Sequence, residues 1–210
     1  MKNFLNDYLN FANKLADEAG IISMDYWRTS LDVDDKSHNN PVTIADKNAE
    51  LKIRSMIEKE YPDHGILGEE FDSINPDAEF VWVIDPIDGT KAFISGIPTW
   101  GILLSLLQHR EPILGVIYQP FTSELFWGGF GQSFKKINLK RKNAQSISVR
   151  ECEDLTNAVV ATSSPVVPNQ LFQSHLDKIM RHSKLDRYGL DCYAYAMLAD
   201  GRIDAVIEFG

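Results

Sequence analysis

Long apolar runs are missing from this chain. The longest candidate, residues 100–107, is interrupted by Gly101 and Ser105 and is too short to span a bilayer. The opening Met1-Lys2-Asn3-Phe4-Leu5-Asn6-Asp7 is broken by polar residues and does not read as a secretory signal. Cysteine is scarce. Cys152 and Cys192 lie far apart, which supplies no disulfide framework. Together these absences predict a soluble protein of a reducing, cytoplasmic setting. The five histidines, His38, His64, His109, His175 and His182, lack metal-ligand spacing and read mostly as surface residues. Positive charge is in deficit: 21 basic residues face 30 acidic ones, for a net charge of −9. That balance argues against nucleic acid or an anionic membrane as the main partner. There is no internal repeat and no low-complexity tract.

What is present is an ordinary globular composition, with 44% hydrophobic residues over 210 positions, enough to bury one sizeable core. Residues 3–28 predict an amphipathic helix, because Phe4, Tyr8, Ala12, Leu15, Ala19, Ile22 and Tyr26 recur at steps of three and four. Residues 29–40 read as a polar loop. A second helix is expected from Thr43 or Ala45 to Tyr61, with Ala49, Ile53, Met56 and Ile57 inward. Short strands follow near Ile66 and at Phe80–Ile84. Residues 101–107, 113–118 and 124–127 read as an antiparallel meander with turns at 109–112 and 119–123. Gly128-Gly129-Phe130-Gly131 reads as a turn-rich break. The basic patch from Lys135 to Lys142 reads as a solvated hairpin or loop. Beyond Ser148 the pattern predicts a strand at 158–161, helices at 169–182 and 191–200, and a last strand at 205–207. The expectation is one domain over 1–210, with a helix-and-meander half (1–147) and a second half (148–210). Its class is α/β, an α+β layered sandwich of alternating helix and sheet layers.

The stretch Trp82-Val83-Ile84-Asp85-Pro86-Ile87-Asp88-Gly89-Thr90 carries the most chemistry. A buried strand ends in two carboxylates, Asp85 and Asp88, with Pro86 stiffening the turn between them. Carboxylates held that close are costly unless a cation lies between them. Hard divalent cations such as Mg²⁺ take oxygen ligands of this kind and add phosphate as another. Gly68-Glu69-Glu70 follows the apolar pair Ile66-Leu67 and reads as a second strand ending in acid. Open α/β sheets bind ligands at the carboxyl ends of their strands, so both clusters can share one mouth. Gly89 and Thr90 stand where backbone N–H groups can hold a phosphate oxygen.

These motifs resemble the inositol monophosphatase family of Mg²⁺-dependent phosphomonoesterases. Pro41-Val42-Thr43-Ile44-Ala45-Asp46 and Gly201-Arg202-Ile203-Asp204-Ala205 extend the match in order over nearly the whole chain. The resemblance implies the sugar phosphatase fold and hydrolysis of a small phosphate monoester by metal-activated water. It implies that Glu69, Asp85, Asp88 and the backbone carbonyl of Ile87 hold Mg²⁺. Two or three ions and inhibition by Li⁺ are expected on the same basis. Asp46 and Thr90 are implied to orient and activate the attacking water, with Glu69 also counted as catalytic. Asp88, Gly89, Thr90, Gly189, Asp191 and Glu208 are implied to meet the substrate, and Lys36 to lie near the site. A small phosphorylated metabolite and a homodimer are the expected partners.

Gly189-Leu190-Asp191-Cys192-Tyr193-Ala194-Tyr195 places an acid where the family's inositol phosphatases carry small residues. It is similar to the branch that hydrolyses histidinol phosphate, as are Lys91-Ala92-Phe93 and Trp100-Gly101. Two carboxylates, Asp191 and Glu208, favour a substrate bearing an amine over a plain polyol. Histidinol phosphate is therefore the expected substrate, with inositol phosphate or a phosphorylated nucleotide (as a 3′-phosphatase) as alternatives. The chain ends at Glu208-Phe209-Gly210, before the family's Trp-Asp element, whose aspartate completes the second metal site. A truncated chain, a weakened second cation, or an impaired metal- and phosphate-binding protein are the corresponding expectations.

Overall fold

The computed structural model describes residues 2–30, 33–37, 40–129, 131–137, 143–167 and 169–209. Helix α1 (Lys2–Tyr26) buries Tyr8, Ala12, Leu15, Ala16 and Ala19 along one stripe, as its periodicity requires. A hairpin, β1 (Val33–Ser37) and β2 (Asn40–Thr43), leads into α2 (Ile44–Glu60). That helix starts in a capping box. The Thr43 hydroxyl accepts from the Ala45 N–H, and the Asp46 carboxylate accepts from the Thr43 N–H at 2.9 Å. Ala45, Ala49, Ile53 and Ile57 form its buried side.

Both helices cover one face of a seven-stranded sheet. In spatial order its strands are β3 (Gly65–Gly68), β4 (Phe80–Asp88), β5 (Gly101–Gln108), β6 (Glu111–Gln119), β7 (Glu124–Gly129), β8 (Gln132–Ile137) and β9 (Gln145–Ser146). β3 and β4 are parallel, and every later pair is antiparallel. Trp82, Ile84, Ile102, Leu104 and Leu106 alternate inward to meet α1 and α2. Residues between them, Val83, Leu103 and Ser105 among them, therefore face the other side.

A three-stranded parallel sheet follows, with β10 (Val159–Thr162) between β11 (Leu185–Tyr188) and β12 (Ala205–Val206). Helix α4 (Gln170–His182) packs Leu176 and Met180 on Val160, and α5 (Asp191–Ala199) packs Ala194 near Ala161 and Ile203. α5 also touches β5 and β6, so it lies between the two sheets. The layers alternate helix, sheet, helix, sheet, helix. Polar contacts pin the halves, among them Tyr193 Oη donating to Glu124 at 2.6 Å and Lys135 Nζ donating to Asp200 at 2.7 Å.

Several expectations change. Residues 33–37 and 40–43 pair as strands instead of looping, and β11 has no apolar alternation to announce it, since all four residues are exposed. Gly128 and Gly129 continue β7, and the turn falls at Gly131. Lys135 and Lys136 belong to β8, and Lys135 is part of a nearly buried ion pair; Lys140, Arg141 and Lys142 lie outside the described residues. His64 is half-buried, stacked between Tyr61 and Phe80 and accepting from Trp82 Nε1. Both cysteines are free, Cys152 exposed and Cys192 buried. No helix among the described residues is long and apolar enough to cross a membrane.

Candidate active site

The strand expected to stop at Ile84 runs on to Asp88 and carries a bulge. Asp85 pairs with Leu103 and Asp88 with Gly101, so three steps along β4 answer two along β5. In a regular strand, residues three apart face opposite sides of the sheet. The extra residue re-phases the strand so that Asp85 and Asp88 share a side. Pro86 has no N–H to give to a ladder, so the bulge suits it. The Ile87 N–H turns back to donate to Asp85 Oδ1 at 3.2 Å, and the Ile87 carbonyl lies 3.2 Å from Thr90 Oγ1.

Because β3 runs parallel to β4, their carboxyl ends open on one side, and Glu69 comes to Asp85. The two carboxyls share a hydrogen bond. Asp46 arrives from the first turn of α2. Its Oδ1 is 3.4 Å from Thr90 Oγ1 while its Oδ2 is held by Thr43. Thr90 opens the short helix α3 (Thr90–Ile94) after Gly89, whose φ of 84° lies in the left-handed region.

The second half reaches the same place through α5. Asp88 Oδ2 accepts from the Cys192 N–H at 2.6 Å, so the acceptor at the start of α5 comes from a residue 104 positions away. Asp191 is a first-turn acid but does not cap its own helix. Its φ of 48° is strained for a non-glycine residue, and Thr99 Oγ1 lies 3.4 Å from its Oδ2. Thr99 also donates to the Gly189 carbonyl at 3.1 Å. Glu208 stands at the edge, accepting from the Ser163 N–H and hydroxyl at 2.8 and 2.9 Å. Lys36 belongs to β1, and its side chain is outside the described residues.

The result is a chain of carboxylates within electrostatic reach of one another: Asp46 feels Glu69, Asp85 feels Glu69 and Asp88, and Asp191 feels Asp88 and Glu208. Burial first, then Glu69 and Asp88, push Asp85 from 3.8 up to about 9. Burial and Asp88 raise Asp191, which Thr99 and Lys91 partly offset. Burial raises Asp46 against the hydrogen bonds from Thr43 that lower it. Burial and Asp88 also push the Cys192 thiol up, so it is a packed group and not a nucleophile.

Among the described residues, no three His, Cys, Asp or Glu side chains form a ready-made metal cluster. The carboxylates adjoin pairwise, and Asp85 bonds Glu69. The donor set nonetheless fits a hard divalent cation: oxygen ligands only, mutually repelling once ionised, with Asp85 pushed toward its neutral form by burial and then by its neighbours. A cavity of about 480 Å³ lies on the α5 side of the sheet, lined by Val83, Leu103, Val116, Phe126 and Ala196 and reaching Asp85. Its lining is mostly apolar, and Asp85 is the acid among its lining residues.

Sequence reasoning missed Glu50, Arg54 and Thr99. Glu50 accepts from the N–H groups of Glu69 and Glu70 at 3.0 and 2.7 Å. A Glu–Arg pair four residues apart on the apolar side of α2 was the available signal. Gly89 also answers a spatial demand. A Cβ there would lie 2.9 Å from the Asp191 side chain. Gly89→Ala is expected to cost about 1–2 kcal/mol from backbone conformation alone and to displace Asp191; chemical denaturation measures the first effect.

The sequence pattern of the Inositol monophosphatase family matches residues 5–210. The chain is 40% identical over 208 residues to the bifunctional phosphatase IMPL2, chloroplastic, of Arabidopsis thaliana, covering 98% of this chain and 58% of that protein. It is 35% identical over 201 residues to a histidinol-phosphatase of Chlorobaculum parvum, covering 95% of this chain and 76% of that one. A solved structure of an inositol monophosphatase from Zymomonas mobilis superposes with a TM-score of 0.83 at 37% identity, covering 98% of this chain and 77% of that one.

Proposed function

The chain belongs to the inositol monophosphatase family of phosphoric monoester hydrolases, and from that premise we propose that its carboxylate mouth performs Mg²⁺-dependent hydrolysis of histidinol phosphate. The carrying observation is Asp191, held in a strained backbone conformation directly over Gly89 and beside Asp88. An anionic end to the carboxylate mouth rewards a cationic amine and gives a neutral polyol nothing comparable.

Glu69, Asp85 and Asp88, with the Ile87 carbonyl, are the residues that would hold Mg²⁺. Bound Mg²⁺ supplies positive charge that offsets the anionic phosphate and the developing charge on its oxygens. The chain's own residues do the rest. The Asp46 carboxylate accepts from Thr90 Oγ1, which leaves the hydroxyl oxygen turned to accept a proton from an attacking water. Burial raises Asp46, so it is better suited to hold a proton than an exposed aspartate. The N–H groups after Gly89 would meet the phosphate oxygens, and Asp88 ties this turn to the start of α5. Asp191, with Thr99 on one oxygen, orients the amine end.

A phosphate-release panel in Mg²⁺ tests the reading. Histidinol phosphate is expected to outrun inositol phosphate and a nucleotide 3′-phosphate. Asp191→Asn is expected to lower kcat/KM for histidinol phosphate by about tenfold to a hundredfold, the worth of a charge-assisted hydrogen bond, and to spare inositol phosphate. An equal loss on both substrates would remove Asp191 from amine recognition.

A further inference from the structure

Glu50 and Arg54 stand one helical turn apart on α2, with side chains 0% and 7% exposed. Burying an ion pair is a poor way to gain stability, because desolvation offsets the attraction and apolar residues of similar volume do as well. The outward hydrogen bonds of this pair explain its presence better. Glu50 Oε2 accepts from the N–H groups of Glu69 and Glu70, at 3.0 and 2.7 Å. Its Oε1 accepts from Arg54 Nε at 2.7 Å. Arg54 in turn donates to the Phe71 carbonyl at 2.8 Å and the Asp72 carbonyl at 2.9 Å. Four consecutive backbone residues, 69 to 72, are thus tied to one pair of side chains.

Those residues follow the end of β3 in irregular structure, where no ladder holds them. Glu69 meanwhile stands against the Asp85 carboxyl, and once both are ionised, as cation binding requires, the two repel. Left to itself, the segment would relieve that repulsion by swinging Glu69 away. Gly68 completes the fit: a Cβ there would lie 1.9 Å from Glu50 Oε1, so β3 approaches the carboxylate more closely than any side chain allows.

We infer that Glu50, oriented by Arg54, is the positioning residue that holds Glu69 against Asp85 for divalent-cation binding. The inference rests on the reading of Glu69 as a metal ligand. It touches neither cation nor substrate, so its effect should fall on cation affinity more than on turnover at saturation.

Calorimetric titration of Mg²⁺ alone into the folded protein separates the possibilities. Glu50→Gln puts an amide where one carboxylate oxygen meets N–H donors, and is expected to weaken Mg²⁺ binding about tenfold to a hundredfold, the usual cost of losing an outer-shell partner. Turnover at saturating Mg²⁺ is expected to return to within a few-fold of the parent. Arg54→Lys keeps the charge but loses the carbonyl contacts, and is expected to weaken Mg²⁺ several-fold; it carries the test if Glu50→Gln does not fold. Unchanged Mg²⁺ affinity in either folded variant, with only a lower melting temperature in chelator, would make the pair structural and overturn the inference. Glu69→Gln is the control. If it leaves Mg²⁺ binding intact, the ligand reading itself fails; if it weakens binding while Glu50→Gln does not, only the positioning role fails.

Discussion

Asp85→Asn is expected to lower Mg²⁺-dependent phosphate release on the order of 10³-fold while making the metal-free protein more stable at neutral and alkaline pH. The two effects share one cause. Asp85 is buried between Glu69 and Asp88, and without a cation its charge is opposed by both neighbours and by desolvation. Its folded value, about 9, lies above its ordinary 3.8, so between these values the native state binds more protons than the unfolded state. Stability is then greatest below the ordinary value and declines as pH rises toward the folded one. Metal-free parent protein should therefore melt at progressively lower temperature from about pH 5 to about pH 9. Asp191 and Asp46, both raised, act in the same direction. Asp204 acts oppositely. Its carboxylate is held down to about 2 by Arg150, so its contribution is lost only as pH falls through the acid range. Asp85→Asn should flatten the decline above neutrality, and Mg²⁺ should flatten it in the parent but not in the variant. Thermal melts in chelator across that range, paired with phosphate release, check both halves. A variant with near-parent activity, or a parent whose metal-free stability rises with pH, would refute this account of Asp85.

Thr90→Ala is expected to lower kcat by about 10²–10⁴-fold, the range for a positioned proton-transfer group, with little change in KM. Thr90 Oγ1 has two acceptors in reach, Asp46 Oδ1 at 3.4 Å and the Ile87 carbonyl at 3.2 Å. Its one proton serves one of them at a time, and its oxygen remains free to accept. Removing the hydroxyl leaves the backbone N–H groups after Gly89 in place, so the proposed ground-state phosphate contacts are expected to survive. Loss confined to kcat marks an interaction made chiefly in the transition state. Thr90→Ser, which restores the hydroxyl, should recover most of the activity. A raised KM with unchanged kcat would make Thr90 a phosphate contact, and failure of the serine variant would point to packing of the methyl group instead.

The sequence alone was enough to locate most elements and the acids at the centre. Apolar residues recur every three or four positions in α1 and α2 and run consecutively through β4 to β7, so local pattern and burial coincide there. The acids also stand out because charged residues rarely terminate a buried strand without a reason. The strands β1, β2 and β11 were not legible. All are short and polar, and their pairing comes from neighbours along the sheet and not from their own pattern.

Tertiary structure alone decided how those acids meet. Pro86 alone hints at a bulge in Trp82–Thr90, because it has no N–H for a ladder, and the bulge puts Asp85 and Asp88 on one side. It is set by the pairing of β4 with β5. The supply of an acceptor to α5 by Asp88, across 104 positions, has no local signature, because a helix start satisfied from afar needs no capping residue of its own. Glu50 carried a local signal only in its spacing from Arg54, which says nothing of what it would meet. A glutamate on a helix is commonplace, and only the parallel approach of β3 brings the Glu69 and Glu70 N–H groups to it. Sequence determines which side chains carry charge and which elements hide apolar surface, since both are properties of residues and their spacing. The distances between charges brought together from α2, β3, β4 and α5 depend on register and packing, and those exist only once the sheets have closed on their helices.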